Sequence, residues 1–206
     1  MRQIIIAALA LLPLGVSGQD NSWEQPEEEE QVAVVKAKEN PDAKYLRGAV
    51  PVVDGKVEFN KHIDAPGKNA SQIYAIVKQY IQKMTQEKNQ LNSRIAIDDT
   101  LHSTITATFE EWLVFKSKTL WLDRTRFMYA LQVKCTDGGA EVTLTHLRYL
   151  YDEERTAQRF TAEEWITDDE AVNKKNTRLQ PISGKFRRKT IDRKDYLFNK
   201  FESLLK

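Results

Sequence analysis

Between Thr100 and Tyr151 the chain passes through three long segments in which apolar and polar residues alternate, a period-2 pattern that requires an antiparallel sheet. The first sets Leu101, Ser103, Ile105, Ala107 and Phe109 against His102, Thr104, Thr106, Thr108 and Glu110. The second sets Phe127, Tyr129, Leu131 and Val133 against Arg126, Met128, Ala130, Gln132 and Lys134. The third starts with Val142 and Leu144 against Glu141, Thr143 and Thr145, after Asp137-Gly138-Gly139, which supplies the positive-φ residues of a hairpin turn. Two of these segments change phase. Phe109 belongs to the odd apolar set but Trp112 and Val114 to the even one, which predicts a bulge or bend at Glu110-Glu111. Val142 and Leu144 give way to Leu147, Tyr149 and Tyr151, which predicts another at Thr145-His146. Phase changes in neighbouring long strands predict a strongly curved sheet.

The flanking segments supply the rest of the architecture. Asp54-Gly55 is a turn signal leading into a strand over Val57 to Ile63, which Pro66-Gly67 ends. Asn69 or Ser71 can cap a helix whose Ile73, Ile76, Val77, Tyr80 and Met84 recur at three- and four-residue steps. A short strand is expected over Ser93 to Asp98. After the meander, a polar insertion at 152–181 has capping-box spacing at Thr161/Glu164 and Thr167/Glu170, so one or two short helices are expected there. Phe186 to Lys189 is too basic for a core strand, and a final helix is expected to open at Thr190 or Asp192, with Leu197, Phe198, Phe201, Leu204 and Leu205 as its apolar stripe. The order is strand, helix, four strands, helix. This is an α+β fold, a curved antiparallel sheet with two helices packed on one face and a small helical insertion before the last helix.

Met1 to Gly18 has the outline of a signal peptide: Arg2, an apolar run from Ile4 to Val16, and small residues at Val16-Ser17-Gly18. The run is too short for a span of roughly 20 residues and Pro13 interrupts it, so no transmembrane span is expected after cleavage. No cysteine near the cleavage point offers a lipid attachment, which favours a periplasmic or secreted protein. Residues 19–43, with the acidic run Glu27 to Glu30, read as a leader or linker, and residues 44–206 as one domain. Losing Met1 to Gly18 removes only one of 31 basic residues and none of the 30 acidic ones, so the mature chain is near neutral and lacks the basic excess of a nucleic-acid binder.

No catalytic motif is present, and no cofactor is called for. His62, His102 and His146 lack the local spacing of a metal site. Glu110-Glu111 with Asp123 could be drawn as an acid/base pair for glycoside hydrolysis, but neighbours in a strand point to opposite faces unless a bulge re-aims one. Cys135, the single cysteine, excludes an internal disulfide and sits on the apolar side of its strand. The sharpest local feature is the run Lys185, Arg187, Arg188, Lys189, continued by Arg193 and Lys194. It reads as an anion or partner patch, or as internal charge balance for the acidic insertion; the near-neutral chain favours balance.

Tyr45-Leu46 with Gly48-Ala49-Val50-Pro51, Val53-Asp54-Gly55-Lys56-Val57, Ser71-Gln72-Ile73-Tyr74, and Ile182-Ser183-Gly184-Lys185-Phe186 ahead of Thr190-Ile191-Asp192 resemble the domain-of-unknown-function family 4468. The resemblance covers about Tyr45 to Lys206. It implies a TBP-like fold, one half of the curved TATA-binding-protein sheet with helices on its convex face, in exported proteins of Gram-negative bacteria. It implies no activity and carries over no catalytic residue. The open sheet face would carry Asn60, Thr104, Thr106, Arg124, Arg126 and Thr143, polar where a TATA-binding protein is apolar, so no nucleic acid is expected on it. The expectation is an exported, non-catalytic binding module of the cell envelope that contacts a protein, peptide or glycan. The alternative is a periplasmic hydrolase-like enzyme acting on a polymer or lipid in a cavity between the sheet and the C-terminal helix.

Overall fold

The computed structural model describes residues 40–118, 121–153 and 155–206; the expected signal peptide and most of the expected leader lie outside the described residues. A 3-10 turn at Ala43–Tyr45 precedes a hairpin of β1 (Val52–Val53) and β2 (Lys56–Val57). Its two turn residues, Asp54 (φ +49°) and Gly55 (φ +75°), have the left-handed backbone that a two-residue hairpin demands. Strand β3 (Phe59–Asp64) follows, then helix α1 (Ala70–Met84). Asn69 caps α1 by accepting from the Gln72 amide, while the Gln72 side chain accepts from the Asn69 amide. Next come β4 (Arg94–Asp99) and the long strands β5 (Thr104–Lys118), β6 (Trp121–Thr136) and β7 (Gly139–Tyr151). The insertion folds as β8 (Gln158–Thr161), α2 (Ala162–Trp165) and α3 (Asp168–Ala171), and α4 (Ser183–Leu205) closes the chain.

All neighbouring strands are antiparallel, in the spatial order β3-β7-β6-β5-β4. β8 also pairs with β7, so β3 (opposite Gly139 to Leu144) and β8 (opposite Arg148 to Tyr151) share one edge of that strand in tandem. The handover occurs at the expected bulge. Met128 pairs with Arg148 and Ala130 with Thr145, which leaves Tyr129 opposite two residues, and His146 takes φ +56° there.

No bulge forms at Glu110-Glu111. Phe109, Glu110, Glu111 and Trp112 pair in unbroken register with Tyr129, Met128, Phe127 and Arg126, and the β5–β6 register shifts only between Val114 and Lys116. The odd set stays inward throughout: Ile105, Ala107, Phe109, Glu111 and Leu113 are all buried. A glutamate in the middle of an inward set imitates a change of phase.

Helices α1 and α4 cover this inward face. Ile73, Val77, Ile81 and Met84 of α1 and Leu197, Phe198, Phe201 and Leu205 of α4 join Phe109, Phe127, Leu131, Val142 and Leu144 of the sheet in one core. Tyr80 meets Phe201 edge to face, ring centroids 5.2 Å apart, where the helices touch. The final helix starts at Ser183, well before the expected Thr190 or Asp192, because the basic run does not bar it from the core: Phe186 and Arg187 of its first turns are buried. Its first turn needs a glycine, since a Cβ on Gly184 would stand 2.6 Å from the Leu179 Cβ. In the insertion, the Thr161/Glu164 capping box forms, whereas Thr167 starts α3 without a side-chain cap hydrogen bond.

Arg193 and Glu111 form a bidentate pair, Nε to Oε1 and Nη2 to Oε2 at 2.7 Å each, with both side chains fully buried. Gln90 Nε2 donates to the same carboxylate at 2.6 Å. Burial alone would lower the Arg193 pKa; the adjacent Glu111 carboxylate reverses the direction and holds the guanidinium charged. Removing one partner strands the other charge in the core, so Arg193→Leu is expected to cost about 3–5 kcal/mol in urea unfolding, and Arg193→Leu with Glu111→Leu to recover most of it.

Candidate functional site

The basic run turns out to be distributed around α4 rather than gathered on one surface. Arg187 is fully buried and donates to the carbonyls of Tyr45 (2.6 Å), Leu46 (2.7 Å) and Ile166 (2.7 Å) and to Asp168 Oδ1 (2.7 Å). Lys185 holds Asp123 at 2.8 Å and lies over the rings of Phe115 and Tyr151. Arg188 pairs with Asp42, and Lys194 with Asp195. Lys189 is half-buried on the same helix. Burial and pairing remove Arg187 and Arg193 from any surface that an anion could reach. Of the partners named, Asp168 alone belongs to the acidic insertion; Asp42, Glu111, Asp123 and Asp195 come from elsewhere in the chain.

No helix of the described residues covers the opposite face of the sheet, and the register orders its side chains in rows. Asn60, Thr143, Gln132, Thr106 and Ile97 form one row across β3, β7, β6, β5 and β4. Gln132 Nε2 donates to Thr106 Oγ1 at 3.3 Å within it. Thr104 lies in the next row, beside Lys134 and Asp99. Further along β5, Trp112 carries the Arg124 guanidinium 3.6 Å above its ring, while Arg126 holds Glu110 at 3.0 Å and Glu153 at 2.5 Å.

Between these regions the curved face opens into a cleft of about 460 Å³. Its floor is small and mostly apolar: Thr108, Ala130 and Met128. Arg94 and Asn92 stand on the β4 side, and Arg148 and His146 on the β7 side. Glu110 also lines it, but its carboxylate is held by Arg126. Thr108 Oγ1 is shielded from solvent and has no hydrogen-bond partner among the described residues. The set expected from the sequence therefore lies around this cleft but does not line it. Sequence reasoning does not single out Arg94 or Arg148, and only the His146 bulge puts Arg148 on the same face as Arg94 and Thr108.

The other candidates do not converge. Glu110 faces the open side, Glu111 the core and Asp123 the Lys185 end of α4, each in its own ion pair. Nδ1 of His62 meets Glu141 at 2.6 Å and Nδ1 of His102 meets Asp99 at 2.7 Å. Among the described residues no group of three His, Cys, Asp or Glu side chains could hold a metal ion, and no helix is long and apolar enough to cross a membrane.

Comparison with known proteins returns a family and a fold. The model of a domain of unknown function (DUF4468) with TBP-like fold matches residues 59–150. A crystal structure of a DUF4468 family protein from Bacteroides ovatus is 40% identical, with a TM-score of 0.75 over 81% of this chain and 96% of that one. A TBP-like protein from Parabacteroides distasonis is 16% identical, with a TM-score of 0.62 over 76% of this chain and 96% of that one, a likeness of fold alone. No curated protein matches the sequence.

Cys135 is buried, and burial pushes its thiol up to about 11. It is expected to resist a disulfide-exchange reagent at pH 8 in the folded protein and to react stoichiometrically in guanidinium; fast labelling of the native state would show an accessible thiolate. Arg187→Met deletes four donors to three carbonyls and a carboxylate, and a loss of about 3–5 kcal/mol is expected. Hydrogen exchange should rise first at 43–46 and 162–168, the segments that Arg187 ties to α4.

Proposed function

We propose a function for this chain from the premise that it belongs to the DUF4468 family of TBP-like domains: it is an exported, non-catalytic binding module of the cell envelope, and it binds through the cleft on the sheet face opposite α1 and α4. The observation that carries this reading is the cleft itself, about 460 Å³ with a small apolar floor and polar groups converging from both walls. That volume lies within the range of small-ligand sites, roughly 300–1,000 Å³, and the rigid strands around it hold its lining in place. The non-catalytic part is supported by the pairing of Glu110, Glu111 and Asp123, whose carboxylates are each bound to a cation. Phe186, Phe198 and Phe201 and the Arg193–Glu111 pair are buried between the sheet and α4, where the enzyme alternative would need a cavity. Export is supported by the sequence of Met1 to Gly18.

Ala130 lies half-buried in the middle of the floor, so Ala130→Trp fills the cleft without touching the core; Met128→Trp does the same from the next row. A thermal-shift screen of wild type and both variants against sugars, short peptides and organic acids is expected to yield compounds that stabilise wild type alone. Compounds that shift wild type and a folded, filled variant equally would place binding elsewhere. Release of product from any compound would identify an enzyme.

A further inference from the structure

We infer that the cleft selects an organic acid, a compact or elongated apolar body bearing a carboxylate or phosphate, with the acid group held by Arg148 and Arg94 from opposite walls. The inference rests on the cleft being the binding site proposed above and adds what the ligand must be.

The charge balance inside the cleft carries it. Arg94, Arg148 and His146 line the cleft together with one carboxylate, Glu110, which Arg126 already neutralises. Neither Arg94 nor Arg148 makes an ion pair or a side-chain hydrogen bond with another described residue, and both are exposed. On α4 the cations that sit closest together in sequence have found carboxylates within the fold, as Lys185, Arg187 and Arg193 show. Two guanidinium groups that no carboxylate of the described residues neutralises, facing one shared hollow, favour an added anion.

The shape narrows the class. Arg94 on β4 and Arg148 on β7 are three strands apart, a backbone separation of roughly 14 Å at about 4.8 Å per strand. Between them the register places Thr108 beside Ala130 and Met128 beside Arg148, side chains short or flexible enough to leave room for a ligand body. An inorganic anion would leave the apolar floor of Ala130 and Met128 empty; a molecule with an apolar body fills that floor and presents its acid to both guanidinium groups. Arginine binds carboxylate and phosphate in the same bidentate geometry, so the two headgroups are separated by experiment.

The probes are octanoate, octyl phosphate and 1-octanol, titrated by calorimetry into wild type, Arg94→Ala, Arg148→Ala and Ala130→Trp, each verified as folded by circular dichroism. Saturable binding of at least one acid is expected, with the alcohol at least tenfold weaker. Each arginine variant should weaken that acid about tenfold and leave the alcohol unchanged, the size expected for one charge-assisted contact. Ala130→Trp should abolish binding of acid and alcohol alike, and the tighter of the two acids identifies the headgroup. Equal binding of acid and alcohol, or an acid affinity unmoved by both arginine variants, overturns the organic-acid assignment while leaving the cleft as a site. Binding that survives Ala130→Trp overturns the assignment together with the cleft reading. Absence of saturable binding by all three probes overturns the assignment, and the compound screen then judges the cleft independently.

Discussion

The fold depends on a charge placed where charges are expensive. Glu111 faces inward from the middle of the longest hairpin, and only a cation held at the same depth makes that position tolerable. Arg193 supplies it from α4, and the bidentate geometry leaves the helix a narrow choice of height and rotation over the sheet. Hydrophobic contact would tolerate a slide of α4 by a turn; two parallel hydrogen bonds to one carboxylate do not. Six residues earlier, Arg187 fixes the same helix to the 3-10 turn and the insertion through three carbonyls and Asp168. The apolar stripe presses α4 onto the sheet, and the two buried guanidiniums specify where.

This internal use of cations divides the molecule into two electrostatic regimes. On the helical side, most of the basic residues that look like a surface patch in the letters are consumed in joining segments distant in sequence, such as Asp42 to Arg188 and Asp123 to Lys185. On the open side, arginines scattered over β4, β6 and β7 come together through strand pairing and the His146 bulge. A near-neutral chain can therefore present a locally cationic hollow, because neutrality describes the sum and recognition depends on the arrangement.

Local signals were legible in the sequence where a residue's chemistry acts on its own neighbourhood. Asn69 as a helix cap, Thr161 with Glu164, the Asp54-Gly55 turn and the shift at Thr145-His146 are all decided within a few residues, and the structure contains each. The misreadings share one cause. The phase change read at Glu110-Glu111 and the start of α4 read at Thr190 or Asp192, beyond Arg187, both follow from assigning a charged side chain to solvent unless its partner is known. Here the partners lie 82 and 19 residues away in the chain, Glu111 from Arg193 and Asp168 from Arg187. The cleft was illegible for a related reason: Arg94, Thr108, Ala130 and Arg148 become neighbours only through three strand registers and one bulge.

The bulge at His146 has a further consequence for how the chain assembles. It splits one edge of β7 between a strand that precedes α1 and a strand that follows β7 almost at once. The β8 half closes a short loop, pairing Tyr151 with Gln158, whereas the β3 half must bring Phe59 to Leu144 across most of the domain. Loop-closure entropy makes the first pairing fast and the second slow. A single strand thus carries an early-folding end and a late-folding end, with a left-handed histidine at the border, and the long-range β3 contact is the step that should set the folding rate.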